Sequence, residues 1–155
     1  MKQEKSAGAI VYRKEKEPMF LLLHYEMGHW DFPKGNIEAN EKDLETVKRE
    51  IQEETCIKDI EILKDFKEKI HYYYKFEGEL ITKTVVFYLA KTDAEKVNLS
   101  FEHIGFIWLP YEKAISKLTF KNAKEILEEQ LKKHPENKAL KYNYQKVMEN
   151  LKNNE

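Results

Sequence analysis

The chain has 155 residues, of which 41% are hydrophobic, and its 27 Lys+Arg nearly balance its 28 Asp+Glu for a net charge of −1. That is one domain's worth of polypeptide with enough apolar content for a core, so wholesale disorder is excluded, and net charge gives no basis for holding nucleic acid or a membrane surface. The single cysteine, Cys56, excludes an internal disulfide and a cysteine-based zinc site. No run approaches the roughly 20 apolar residues of a membrane span, and the expected location is cytoplasmic.

Residues 7–12 and 20–25 are short apolar runs that predict buried strands, joined by the ionic stretch 13–17. Residues 27–35 are rich in Gly and Pro and read as a structured loop. A helix follows: Asn40 is placed to cap it, Glu41 and Asp43 put negative charge on its first turn, and Leu44, Val47 and Ile51 mark its apolar stripe. The pattern fades over 56–59. Residues 60–63, 69–76 and 80–90 predict three more strands, the last being β-branched and aromatic with no breaker. A polar loop at 93–100 leads to a strand at 105–109 and, after Pro110, to helices over 111–118 and 121–133 that end at His134-Pro135. In the tail, Leu140, Tyr144, Val147 and Leu151 form a thin stripe, expected to pack on the domain. The sum is an α+β fold: a mixed sheet with helices on both sides, in one domain over 1–133 with 134–155 as its C-terminal extension.

Chemistry concentrates in the predicted helix at 40–55. Glu50, Glu53 and Glu54 stand at i, i+3 and i+4, which sets three carboxylates within about 100° of arc. Like charges so close repel unless a cation bridges them, and Mg²⁺ or Mn²⁺ favours oxygen ligands of this type. Taken alone, Glu-x-x-Glu-Glu in a chain with 35% charged residues is ordinarily a solvated helix face. The wider spacing decides the matter.

Residues 35–57 resemble the Nudix box, Gly-x5-Glu-x7-Arg-Glu-U-x-Glu-Glu-x-Gly-U, with U a bulky aliphatic. Gly35, Glu41, Arg49, Glu50, Ile51, Glu53, Glu54 and Ile57 fall in register, and only the second glycine differs, being Cys56. Glycine at that position supplies a left-handed helix exit; Cys56 must adopt it at some cost, or the helix ends differently. Its thiol is expected to be buried and structural rather than nucleophilic.

The resemblance implies the Nudix αβα sandwich and a metal-dependent pyrophosphohydrolase of nucleoside diphosphate-linked substrates, with more than one Mg²⁺ or Mn²⁺ per site. It casts Glu50, Glu53 and Glu54 as metal-binding and base-supplying carboxylates, Arg49 as the residue that orients them, Glu41 as a supporting acid and Gly35 as offering its carbonyl to the metal. Beyond the box, Leu21-Leu22-Leu23, the stretch 28–35, Lys83-Thr84-Val85, and Ser100-Phe101-Glu102-His103 before Phe106-Ile107-Trp108 are similar to asymmetric diadenosine tetraphosphate hydrolases. That branch implies cleavage of the dinucleotide to ATP and AMP. It also implies phosphate contacts from His29, Lys34 and Lys83, a further catalytic carboxylate near the metals in Glu102, and adenine stacking on one of Tyr72, Tyr73 and Tyr74. Tyr73 and Tyr74 are carried forward as the candidates, and alternation puts Tyr73 on the opposite face from the other two. His103 is read as capping a loop, and Trp30, Phe32, Phe87 and Trp108 as core. Other readings are a Nudix hydrolase of (d)NTPs, ADP-ribose or RNA 5′ ends, or a silent nucleotide-binding module. The intact carboxylates argue against the last. A monomer or homodimer is expected.

Overall fold

The computed structural model describes residues 1–138 and 148–153. Along the chain run β1 (Lys2–Lys14), β2 (Pro18–Tyr25), β3 (Trp30–Asp31), β4 (Lys34–Asn36), α1 (Asp43–Thr55), β5 (Glu61–Phe76), β6 (Glu79–Lys91), β7 (His103–Leu109), α2 (Tyr111–Lys117) and α3 (Lys121–Lys133), with a 3-10 turn at Pro135–Asn137. The strands make one seven-stranded sheet in the order β3-β2-β1-β6-β5, with β4 also on β1 and β7 also on β2. β1 and β6 are parallel and the other pairs antiparallel, so the sheet is mixed. No helix among the described residues is long and apolar enough to cross a membrane.

Alternation along β1 builds the two layers. Ala7, Ala9 and Val11 pack with Val47 and Ile51 of α1, while Ile10 and Tyr12 join Phe20, Phe87, Ile126 and Leu127 beneath α3. Phe32 and Phe87 lie in this second core as expected; Trp30 and Trp108 are only half-buried. The result is the anticipated αβα sandwich.

Several boundaries move. The two strands expected at 60–63 and 69–76 are one strand, β5, whose pairing with β6 breaks register between Leu63 and Lys67. Charged Lys64 and Asp65 sit in that irregularity and hide the continuity, while Phe66 is buried. α1 begins later than Asn40 suggested, because Asn40 itself is left-handed with φ 64°. Lys42 is the N-cap, and its amide donates to Glu45 Oε1 at 3.2 Å. The buried stripe is Thr46, Val47, Ile51, Glu54 and Thr55, so Leu44 stays 39% exposed in the first turn. Cys56 does take the left-handed exit, at φ 61° and ψ 12°, its amide donating to the Gln52 carbonyl at 2.9 Å. That exit turns the side chain outward, and the thiol is exposed, not buried.

Of the tail stripe, Leu140, Tyr144 and Val147 lie outside the described residues; Leu151 is exposed. The start of the extension is anchored: buried Asn137 donates to Gln130 at 3.0 Å, and His134 bridges Asp65 at 2.9 Å and Glu136 at 3.1 Å. Burial works against the His134 charge, but the hydrogen bonds to Asp65 and Glu136 outweigh it and raise its pKa above 6.5. The native state therefore holds this proton more tightly than the unfolded chain, so the clamp stabilises fully below about pH 6.5 and fades as pH rises through the raised value. His134→Gln should shrink the fall in urea midpoint between about pH 5.5 and about pH 8.5. An unchanged fall would remove His134 as its source.

Candidate active site

β1 gives its C-terminal half to β2 (Tyr12↔Phe20) and its N-terminal half to β4 (Ser6↔Asn36), so the two partners part along its edge. Ala9 N–H donates to the Pro33 carbonyl at 3.1 Å where they separate. The C-terminal end of α1 lies by this parting, and its unpaired carbonyls recruit the loop before β7. Asn98 N–H donates to Thr55 O at 3.0 Å and Ser100 N–H to Glu54 O at 3.2 Å. This tie delivers Glu102 and His103 to the helix carboxylates.

Arg49 organises the cluster. Its guanidinium donates to Glu41 at 2.7 and 3.0 Å, Glu50 at 2.8 Å, Glu53 at 3.1 Å and the Asn36 carbonyl at 3.0 Å. Hydrogen bonds from Arg49 and from Thr46 pull the Glu41 pKa down to about 2, and the surrounding carboxylates push Arg49 up. Starting the helix at Asp43 leaves Glu41 in the preceding turn, from which it reaches Arg49.

Glu54 stands apart. It is buried, and its Oε2 has no hydrogen-bond partner. Burial first, then contact with Glu50 and the charges of Glu50 and Glu102, push its pKa far above the carboxylate range, against a lowering by the Lys34 amide. Glu102 is exposed, yet its charge also acts on Tyr25 and His103. Among the described residues, no three acidic, His or Cys side chains already converge on one point: Arg49 holds Glu50 and Glu53 while Glu54 faces inward. An orphaned carboxylate oxygen beside a second carboxylate nevertheless fits a hard divalent cation, which would relieve both burial and repulsion. Gly35 supports Glu50 by having no side chain, since a Cβ there would lie 2.0 Å from Glu50 Cδ.

The opposite sheet face holds the cationic side. Gly8↔Lys34, Glu4↔Lys83 and Tyr72↔Lys83 are cross-strand pairs of one parity, so Lys34, Lys83 and Tyr72 share that face. Burial and the Lys34 charge together lower the Lys83 pKa. Lys34 pairs with Asp31 at 3.0 Å, which outweighs its burial and raises its own pKa. On this face opens a cavity of about 310 Å³ walled by Lys34, Ile70, Tyr72, Phe87, Phe120 and Ala123. The structure separates the three tyrosines: Tyr72 lines the cavity, Tyr73 is 61% exposed on the α1 side, and Tyr74 is tied to Glu4 by its hydroxyl, which holds its pKa up at about 12. His29 stacks on Tyr25, with ring centroids 4.5 Å apart, and tilts against Phe120 at 5.3 Å. Asp31, Tyr25 and Phe120 were not anticipated; each acts through a neighbour that only folding supplies.

The sandwich, the parted strands and the box carboxylates at the end of α1 together define a Nudix fold with its box in place. The Nudix domain model matches residues 2–130, and the chain belongs to the Nudix family and is a Nudix hydrolase. It is 34% identical over 138 residues to the asymmetrical bis(5′-nucleosyl)-tetraphosphatase of Mus musculus, spanning 81% of this chain and 91% of the relative. It is 35% identical over 117 residues to that of Caenorhabditis elegans, spanning 72% and 82%. The crystal structure of a C. elegans Ap4A hydrolase binary complex superposes with a TM-score of 0.72 at 31% identity, covering 81% of this chain and 93% of that one.

Proposed function

We propose that this chain hydrolyses diadenosine tetraphosphate to ATP and AMP with Mg²⁺ or Mn²⁺ held at Glu50, Glu53, Glu54, Glu102 and the Gly35 carbonyl. The observation that carries the reading is the pair Lys34 and Lys83 on the sheet face that holds the Tyr72 cavity, with Lys34 in the cavity wall and Lys83 paired across the strands with Tyr72. The activity named for the mouse and nematode relatives supports it. A tetraphosphate bears about four negative charges, which a protein of net charge −1 must meet locally. Lys34 and Lys83 supply that charge, with His29 at the margin, and Tyr72 offers adenine a flat apolar wall.

A bound divalent cation would neutralise the polyphosphate and acidify an attacking water. Arg49 keeps the cluster ordered by pairing with Glu41, Glu50 and Glu53 at once. The base must reach water, which favours Glu53, with a side chain 57% exposed, and exposed Glu102 over buried Glu54.

The test is a panel of diadenosine tetraphosphate, nucleoside triphosphates, ADP-ribose and 5′-triphosphorylated RNA with Mg²⁺, read by product chromatography. ATP plus AMP as the fastest-formed products is the expected result; preference for another substrate would overturn the assignment. Lys83→Ala should raise KM for the dinucleotide about tenfold, the scale of one hydrogen bond to a charged group, with a smaller effect on kcat. If neither constant moves, Lys83 is a surface charge and the phosphate track lies elsewhere.

A further inference from the structure

Two buried polar atoms face each other at the C-terminal end of α1 with nothing else to bond. Glu54 Oε2 and His103 Nε2 lie 3.9 Å apart, both residues are buried, and neither atom has a hydrogen-bond partner. Buried polar atoms are nearly always paired. The gap is about 1 Å beyond hydrogen-bond length, which a small rotation of the Glu54 side chain closes.

The rest of the imidazole is held firmly. His103 Nδ1 is 3.1 Å from Ser100 Oγ, and the His103 amide donates to the Ser100 carbonyl at 3.2 Å. When the serine hydroxyl donates to Nδ1, the ring hydrogen sits on Nε2, and this tautomer alone gives the acceptor opposite a hydrogen to receive. Tyr25 meets the ring edge-on, with centroids 4.5 Å apart at 70°, and is itself anchored by its hydroxyl donating to Phe32 O at 2.8 Å. Ser100 is in turn bonded to the Glu54 carbonyl. The serine that orients the imidazole is thus fixed to the backbone of the residue whose side chain the imidazole faces.

We propose that His103 is a positioning residue for Glu54: its Nε2–H, directed by Ser100 and braced by Tyr25, closes on Glu54 Oε2 and holds the carboxyl turned toward Glu50, ready for a cation. The role rests on the reading of Glu54 as a metal ligand given above. Neighbours that orient a metal ligand commonly affect metal affinity or activity by 10-fold or more.

The experiment compares His103→Phe, which keeps a ring against Tyr25 but has no N–H, with His103→Gln, whose amide N–H reaches the region of Nε2. Mn²⁺ binding to the substrate-free protein is read by electron paramagnetic resonance, and kcat and KM are read with diadenosine tetraphosphate. His103→Phe should weaken Mn²⁺ binding and lower kcat about tenfold each, with KM within about twofold. His103→Gln should recover most of both, and Ser100→Ala should show a smaller loss in the same direction. Unchanged Mn²⁺ affinity in His103→Phe, or equal losses in Phe and Gln variants, would overturn the proposal by reducing the ring to a filler. If His103→Phe does not fold, Ser100→Ala decides: wild-type Mn²⁺ affinity there overturns the proposal and weakened affinity supports it. Should the wild type not cleave the dinucleotide, the substrate assignment falls while the Mn²⁺ comparison still judges His103.

Discussion

Glu54→Gln is expected to lower turnover at least about a hundredfold while making the metal-free protein more resistant to heat. Both effects follow from one placement. Glu54 is 3% exposed, one of its oxygens bonds to nothing, and Glu50 and Glu102 add negative charge beside it. Without a cation that carboxyl is a liability: ionised, it is buried and repelled; protonated, it must take up a proton against neutral solvent. Glutamine keeps the shape and removes the charge, but it is a poor ligand for Mg²⁺.

The sign in pH is defined. The native Glu54 binds its proton more tightly than the unfolded chain does, so wild-type stability falls relative to the glutamine variant as pH rises above the ordinary value of 4.5. Near neutral pH the variant should melt a few degrees higher, since about 1 kcal/mol moves the midpoint of a chain this size by about 2–4 °C. Adding Mg²⁺ should raise the wild-type midpoint and leave the variant nearly unmoved. A folded variant with full activity would sink the assignment of Glu54, and a variant that melts lower than wild type without metal would show that the buried carboxyl is satisfied after all.

How much of this could be read from the sequence follows from the range of each interaction. The carboxylate face of α1 was legible because spacing along one helix fixes it, whereas the orienting role of Arg49 came only from the resemblance to the Nudix box, since its partner Glu41 lies before the helix begins. The left-handed exit at Cys56 was one of two alternatives that the box glycine suggested, and the structure selects it; the direction of the thiol was not legible, because that depends on what the exit faces. β5 was split in two because an irregularity in its pairing between Leu63 and Lys67 interrupts alternation without interrupting the strand. The tyrosines show the limit most directly. Alternation separated Tyr73 from Tyr72 and Tyr74 correctly, but only the pairing of β5 with β6, and the seating of α3, reveals which face carries the cavity. The contact of Tyr25 with His103 arises from the pairing of β2 with β7, where these two residues stand opposite each other across 78 positions of sequence (103 − 25). No local pattern encodes such a pair.

Gly35→Ala provides the second large effect, expected as a loss of at least about tenfold in kcat with near-normal stability. In β4, Gly35 pairs with Ala7, whose side chain faces α1, so a β-carbon at position 35 would project toward that helix. It would come within 2.0 Å of Glu50 Cδ and within 2.1 and 2.4 Å of the two carboxylate oxygens. Gly35 is not among the positive-φ residues, so alanine suits its backbone and the effect is steric. The obstructed atoms are the far end of a flexible side chain, so Glu50 yields rather than the strand. The same displacement breaks the 2.8 Å contact of Glu50 with Arg49 and takes the carboxylate away from Glu54. Gly78→Ala is the control with the reverse signature: it meets open space but sits at φ 76°, so it should lower stability and spare kcat. Mn²⁺ titration, thermal melts and turnover on both variants separate these effects. Full activity and unaltered Mn²⁺ affinity in Gly35→Ala would mean that Glu50 does its work from a position other than the one above the glycine.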